Sequence, residues 1–318
     1  MRALVTGGAG FVGSNLALEL EKAGNDVVIL DDFAAGNFKN LPGFKGDVVA
    51  ADIAAPQEWL YKVGHVDAIF HQAAITDTTV TDQKKMMRVN VDGFRAILGF
   101  AVEAGVSKVV YASSAGVYGS GAIPMKESQE PAPANAYAFS KRAMERVAAD
   151  FAQENPSVRV TGLRYFNVYG PGESFKGKAA SMIWQLARQM KEGRRPRIFK
   201  FGEQFRDFIY VKDVVSANLK ALDSGESGAF NVCTGKKTTF NDIIKILNTS
   251  LGTSFDPDYF DNPYTDFYQN ETLGDPSLAE AKLGFKAGFS IEDGIADYIG
   301  KGKKEGKGRH AVSARNTP

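Results

Sequence analysis

The sequence predicts an α/β fold: a doubly wound parallel sheet joined to a smaller α+β unit. Three observations carry this. Short apolar runs alternate with helical periodicity through the first half of the chain. A glycine-rich turn joins the first such run to the first helical one. After about residue 165 the alternation gives way to polar loops and isolated helices. Apolar runs that do not alternate internally are strands buried on both faces, which a parallel sheet covered by helices requires.

Taken in order, residues 2–6 (RALVT) form a strand that ends at the glycine turn. Residues 11–23 place Leu16, Leu20 and Ala23 at helical spacing, and Gly24 stops the helix. Residues 27–30 are the next strand and end at Asp31. Residues 48–51, 68–70 and 108–112 read as further buried strands, with a helix over 84–104. Beyond 165, residues 171–178 are a polar loop and 179–192 an amphipathic helix broken by 193–196. Residues 209–222 read as a return to the first layer, and 238–251 as a helix ahead of a Pro/Asp/Tyr-rich stretch. We therefore expect a Rossmann-type unit from 1–165 plus about 205–235. A substrate unit would come from 166–204 plus 236–300, with a disordered tail over 301–318.

Composition narrows the function classes. The 318 residues are 44% hydrophobic and 24% charged, enough apolar surface to offset chain entropy in a folded protein. The net charge of +1 gives no nucleic-acid footprint. It conceals a tail with six cations against Glu305, or +5, so the remaining 300 residues carry −4. Cys233 is the single cysteine, so no intrachain disulfide exists, in keeping with a reducing compartment. His65, His71 and His310 lack metal-ligand spacing, and no metal is expected. No run of eighteen apolar residues marks a membrane span. Because the N-terminus opens directly as a strand, a cytoplasmic protein is expected.

Residues 6–13 read Thr6-Gly7-Gly8-Ala9-Gly10-Phe11-Val12-Gly13. They satisfy both G-x-G-x-x-G and T-G-x-x-G-x-x-G between a strand and a helix. Glycines there allow a tight turn and let backbone N–H groups meet a pyrophosphate at the helix N-terminus. Asp31, 18 residues on, can bond ribose hydroxyls and repel a 2′-phosphate, which favours NAD. Lys39 would offset that repulsion, and admit NADP, if the intervening loop folds back. Asp52 could accept from an adenine amino group or cap a helix.

Tyr137 and Lys141 form Y-x-x-x-K, one turn apart on a helix face. An ammonium beside a phenol favours the phenolate, giving a usable acid/base. Ser113 and Ser114 follow a strand, where open α/β sheets bind ligands. A hydroxyl there could share a reacting alcohol's proton with Tyr137. His71 reads as a packed side chain and Cys233 as a small apolar one. Arg206 could clamp a diphosphate or pair with Asp207. Lys176 and Lys178, read by position alone, are solvated loop lysines.

The stretches TGGAGFVG, HQAA (71–74), YASSAGVYG (111–119), YAFSK, RYFNVYGP (164–171) and FRDFIYVKDV (205–214) resemble the extended short-chain dehydrogenase/reductases. Within them the resemblance runs to the ADP-L-glycero-D-manno-heptose 6-epimerases. It is carried by residues 36–53, 71–79, 173–182 and 262–275. The resemblance implies NADP, one per subunit, a nucleotide-diphosphate sugar substrate and heptose chemistry. A homo-oligomer is expected. It also implies roles. Tyr137, Lys141, Ser114 and Lys176 would be catalytic, Lys176 as a second acid/base. Gly7, Gly10, Phe11, Val12, Gly13, Asp31, Asp32, Lys39, Asp52, Ile53, Gln72, Ala73, Ala74, Asn90 and Val168 would meet the cofactor. Asn167, Lys178, Phe199, Gly202, Arg206 and Tyr268 would meet the sugar nucleotide, with Ser114.

Two departures stand out: Pro171-Gly172-Glu173 lacks a cation that the family often has, and Gln185 replaces a histidine of some members. A UDP-sugar 4-epimerase is the alternative enzyme. A 4,6-dehydratase needs an acid pair where Gly116 and Val117 stand, and a non-catalytic dinucleotide-binding regulator would not need to keep both Tyr137 and Lys141.

Overall fold

The computed structural model describes residues 1–77, 80–263 and 271–300. Strand β1 (Arg2–Thr6) enters α1 (Phe11–Lys22), followed by β2 (Asp26–Asp31) and β3 (Asp47–Ala50). A short helix, α2 (Leu60–Val63), leads to β4 (Ala68–His71). The helix expected over 84–104 is three pieces: α3 (Gln83–Met87), a π turn at Arg88–Asp92 and α4 (Gly93–Glu103). Then come β5 (Lys108–Ser114), α5 (Ala136–Glu154) and β6 (Arg159–Tyr165). The second half holds β7 (Asn167–Tyr169), α6 (Met182–Lys191), β8 (Arg197–Phe199), β9 (Phe205–Arg206) and β10 (Phe208–Tyr210). After α7 (Val211–Ser224) and β11 (Gly228–Val232) come β12 (Thr238–Thr239), α8 (Phe240–Leu251), β13 (Asp258–Phe260), α9 (Ser277–Leu283) and α10 (Ile291–Ile299).

The central sheet has seven parallel strands in the order β11-β6-β5-β4-β1-β2-β3. Chain order runs outward from β1 in one direction and from β4 in the other. Their carboxyl ends, where Thr6 lies opposite His71, therefore flank the topological switch point, at which open sheets bind ligands. Apolar clusters cover both faces. One gathers Trp59, Phe94 and Met144 with Leu4, Ile69 and Val109. The other gathers Leu16 and Leu20 of α1, Val214 and Ala217 of α7, and Leu283 of α9 against Val5, Val110 and Val232.

One further expectation needs correction. Residues 209–222 return to the first layer as packing and not as a strand of the sheet: Ile209 and α7 cover one of its faces, while β10 pairs in parallel with β7 outside it. The return to the sheet is made instead by β11, which pairs with β6. Polar residues inside both strands (Thr161 and Arg164 in β6, Asn231 in β11) interrupt the apolar run that would have marked them.

A third cluster sits beside the sheet, built from α6, α8, β10 and α10 through Ile183, Leu186, Ile244, Leu247, Tyr210 and Ile295. Helix α8 starts on a capping box in which Thr239 and Asp242 satisfy each other's backbone N–H groups. Among the described residues, no helix is long and apolar enough to cross a membrane.

His71 ties the sheet's core to its chemistry. It is fully buried, with Nδ1 2.8 Å from the Thr6 hydroxyl and its ring 5.1 Å from that of Phe94. Burial, then the charge of Lys141, holds its pKa down at about 3 against an ordinary 6.5. In the unfolded chain the imidazole takes up its proton below 6.5, whereas in the fold it waits until about 3. This contribution to stability is therefore complete above pH 6.5 and is lost as pH falls toward 3. The slope is at most about 1.4 kcal/mol per pH unit. Urea unfolding at pH 7 and pH 5 should show that slope in the parent and a shallower one in His71→Leu.

Candidate active site

The glycine turn is constrained on every side. A Cβ on Gly7, which has φ +66°, would lie 2.6 Å from the Ala73 nitrogen. One on Gly13 would lie 2.1 Å from the Gly7 carbonyl oxygen. Gly10 caps α1, yet no side chain caps it and no acid lies in its first turn. The N–H groups of Phe11 and Val12 thus face outward at the positive end of a twelve-residue helix, which fits a diphosphate.

Asp31 ends β2 with its carboxylate buried, accepting from the Ala9 and Phe33 N–H groups at 2.9 and 2.8 Å. Burial is the largest influence on it and raises its pKa. Asp32 is exposed. The loop after it does fold back: Asn37 N–H and the Asn40 side chain both donate to the Ala9 carbonyl, at 2.9 and 3.1 Å. That brings the turn bearing exposed Lys39 against the glycine loop.

Several other cofactor candidates are already engaged. Asp52 caps no helix: it accepts from Ala54 N–H two residues on and pairs with Arg88 at 2.9 Å. Ile53 is core and packs on Gly93. Gln72 closes a ring of hydrogen bonds with Asn218 and Tyr165. Ala73 N–H donates to Thr6, and Ala74 follows it on the same strand-end segment. Asn90 projects from the π turn and binds both backbone groups of Ile75 and the Ser140 hydroxyl. A π turn adds a residue to the helix and re-aims side chains there, a device common at functional sites.

Tyr137, Ser114 and Lys141 meet. Asn135 caps α5 through Ala138 N–H, fixing where the helix starts. The Tyr137 hydroxyl faces Ser114, whose Oγ accepts from Gly116 N–H at 3.1 Å. Lys141 Nζ donates to the Ala112 carbonyl at 2.7 Å and lies 5.9 Å from the Tyr137 ring centre. Burial drives the Lys141 pKa down to about 7, with Glu145 pulling the other way. The phenol corrects an expectation. Burial raises the Tyr137 pKa, and the Ser114 hydroxyl beside it, rather than the Lys141 charge, is what opposes it.

Lys176 stands on a separate loop, a 3₁₀ stretch (Glu173–Ala179) broken at Gly177. Its Nζ lies 5.6 Å from the Phe11 ring, at the start of α1. Burial lowers its pKa and Glu173 opposes that. Glu173 is fully buried and accepts from Gly170 N–H (3.1 Å), Ser181 N–H (2.5 Å) and the Ser181 hydroxyl (3.0 Å). One carboxylate therefore ties the two ends of the loop together. Asn15 donates to the Pro171 carbonyl, and Gln185 holds the Lys178 and Ala180 carbonyls, leaving the Lys178 side chain exposed.

Of the remaining candidates, Asn167 donates to Thr272 and to the Asp207 carbonyl, while Val168 pairs with Ile209. Phe199 stacks edge-on with Phe260, Gly202 turns with φ +79°, and the Arg206 guanidinium lies 5.7 Å from the Phe240 ring. Asp207 is buried, with both oxygens taken by donors from Thr234, Gly235 and Gly274. Tyr268 lies outside the described residues. Glu145, Arg164 and Glu173 were missed. Glu145 had a signal, since 137, 141 and 145 share one helix face.

Residues 3–233 match the profile of the NAD dependent epimerase/dehydratase family. The fold is similar to that of the *Helicobacter pylori* ADP-L-glycero-D-manno-heptose-6-epimerase, at 41% identity over 94% of this chain and 95% of that one, with a TM-score of 0.87. It is also similar to the *Thermotoga maritima* UDP-glucose 4-epimerase solved with UDP-glucose: 31% identity, 94% and 97% covered, TM-score 0.88. The *Thermus thermophilus* UDP-glucose 4-epimerase complex with NAD matches at 28% identity, 94% and 98% covered, TM-score 0.84.

Proposed function

The chain belongs to the NAD dependent epimerase/dehydratase family, and from that membership we propose that it inverts C6 of an ADP-D-glycero-D-manno-heptose with a retained nicotinamide cofactor. The observation that carries this reading is a second buried-side amine, Lys176, beside the glycine loop on an element separate from Tyr137 and Lys141. Similarity to the *H. pylori* 6-epimerase supports it.

When bound, the nicotinamide supplies reversible acceptance of hydride. The chain's own side chains do the rest. N–H groups at the start of α1 hold the diphosphate. Ser114 orients the sugar oxygen and Tyr137 exchanges its proton, with Lys141 behind the ring. Lys176 exchanges the proton when the oxygen lies on the other side. Arg206, over the Phe240 ring of the third apolar cluster, and Asn167 would meet the nucleotide diphosphate.

Incubation with ADP-D-glycero-D-manno-heptose, UDP-glucose and UDP-N-acetylglucosamine, followed by NMR of the epimer ratio, tests the reading. Turnover of the heptose is expected. Epimerisation of a UDP-sugar alone would overturn it.

For the cofactor, the fold-back of the 32–40 loop supports NADP through Lys39, against the repulsion of Asp31. Lys39→Ala should weaken NADP about tenfold, ~1.4 kcal/mol, and leave NAD nearly unchanged. Titration of protein fluorescence with each dinucleotide measures this, and an equal effect on both would remove Lys39 from the 2′-phosphate.

A further inference from the structure

Three residues one helical turn apart on α5 meet three successive residues of β5. Tyr137 faces Ser114, Lys141 donates to the Ala112 carbonyl, and Glu145 accepts from the Ser113 hydroxyl at 2.7 Å. The third contact is the anchor. Glu145 also takes a two-pronged bond from Arg164, Nε to Oε1 and Nη2 to Oε2, both at 2.8 Å, and both side chains are 4% exposed. Ser113 and Arg164 are register partners across β5 and β6, so one carboxylate spans both strands directly below Ser114. Arg164 is held in turn by the Tyr118 hydroxyl at 2.8 Å, and Tyr118 donates to Asn231 of β11.

We propose that Glu145 is a positioning residue for Tyr137 and Lys141, setting the height and rotation of α5 on the sheet through Ser113 and Arg164. The inference rests on the assignment of Tyr137 as acid/base above. A helix packed only by apolar side chains can slide by fractions of an ångström at little cost, and a misplacement of about 1 Å costs catalysis ~100-fold. A two-pronged ion pair has a single good geometry, and in a dry site it is strong. The same carboxylate lies one turn from Lys141 and favours its ammonium against burial, and the Lys141 charge in turn helps keep the neighbouring His71 neutral. The other groups facing the cluster are Tyr137 on α5, Tyr111 on β5, Tyr165 and Arg164 on β6, and Arg142, 3.5 Å from Glu145.

The test measures kcat and KM from pH 6 to 9, with the sugar that turns over, alongside Tm. Glu145→Gln keeps an acceptor for Ser113 but strands a buried guanidinium, so Tm falls. The Glu145→Gln/Arg164→Met pair removes that stranded charge and should regain most of the Tm. Its kcat should remain ~10–100-fold down at nearly unchanged KM. The deficit should widen with pH, as Lys141 loses its proton earlier. Ser113→Ala, which leaves the ion pair intact, should lower kcat several-fold on its own with Tm near the parental value. Recovery of parental kcat and pH profile together with Tm in the double variant would make the pair a core strut and overturn the proposal, as would full activity in Ser113→Ala. Parental activity in Tyr137→Phe would instead sink the assignment on which the proposal stands, and the proposal with it.

Discussion

Tyr137→Phe should lower kcat by about three orders of magnitude, within the range that a positioned acid/base contributes. Only an oxygen is lost, and the ring that lies beside Lys141 stays. Tm and bound dinucleotide should therefore remain near the parental values. The pH dependence should change as well. Burial holds the Tyr137 phenol above its ordinary value, so phenolate is scarce at neutral pH and grows as pH rises. The alkaline rise in kcat that the phenol contributes should disappear in Tyr137→Phe. Steady-state rates by NMR across pH settle it, and a loss below tenfold would exclude Tyr137 as the acid/base.

Lys176→Met should cost ~10²–10³-fold in epimerisation for a geometric reason. If hydride leaves one face of C6 and returns to the other, the C6 substituent must turn, carrying its oxygen to a new place. A proton donor must stand about 2.6–3.2 Å from the oxygen it serves. Tyr137 stands beside Ser114 at the end of β5, while Lys176 sits over Phe11 on a separate loop. With Lys176 gone, Tyr137 can still serve the first orientation. A single turnover should therefore retain hydride uptake, visible as the near-ultraviolet absorbance of reduced nicotinamide, while product epimer fails to accumulate. Full epimerase activity in Lys176→Met would leave Tyr137 as the one acid/base.

The sequence made local chemistry legible. Glycines in a turn, an acid at the next strand end, and Tyr137 and Lys141 four apart are patterns carried by neighbours in the chain, and the fold brings them to one switch point. Distant partners were not legible. The Glu145–Arg164 pair joins residues 19 apart across a helix and a strand, and Glu173 reads as any loop acid until its oxygens are seen at both ends of the loop. The rise in the Tyr137 pKa was missed because spacing reveals a neighbouring charge but not the loss of water around a phenol. Arg88 takes Asp52 through a tertiary contact with no sequence signature. The strands at Arg159–Tyr165 and Gly228–Val232 were hidden by the polar residues that build the buried network.

The Glu173 carboxylate gives the Lys176 loop a fixed hem. Gly170 and Ser181 are stitched to one side chain, so the strand before the loop and the helix after it do not depend on what lies between. Lengthening such a closed loop adds little, about 0.6 kcal/mol for each doubling. Lys176 apart, the interval 174–180 is therefore free to change length and composition at little cost to the fold. Descendants of this chain that keep an amine at Lys176 could exchange the rest of it like a cassette, acquiring a new sugar preference while the sheet, its cofactor cradle and α6 stay as they are.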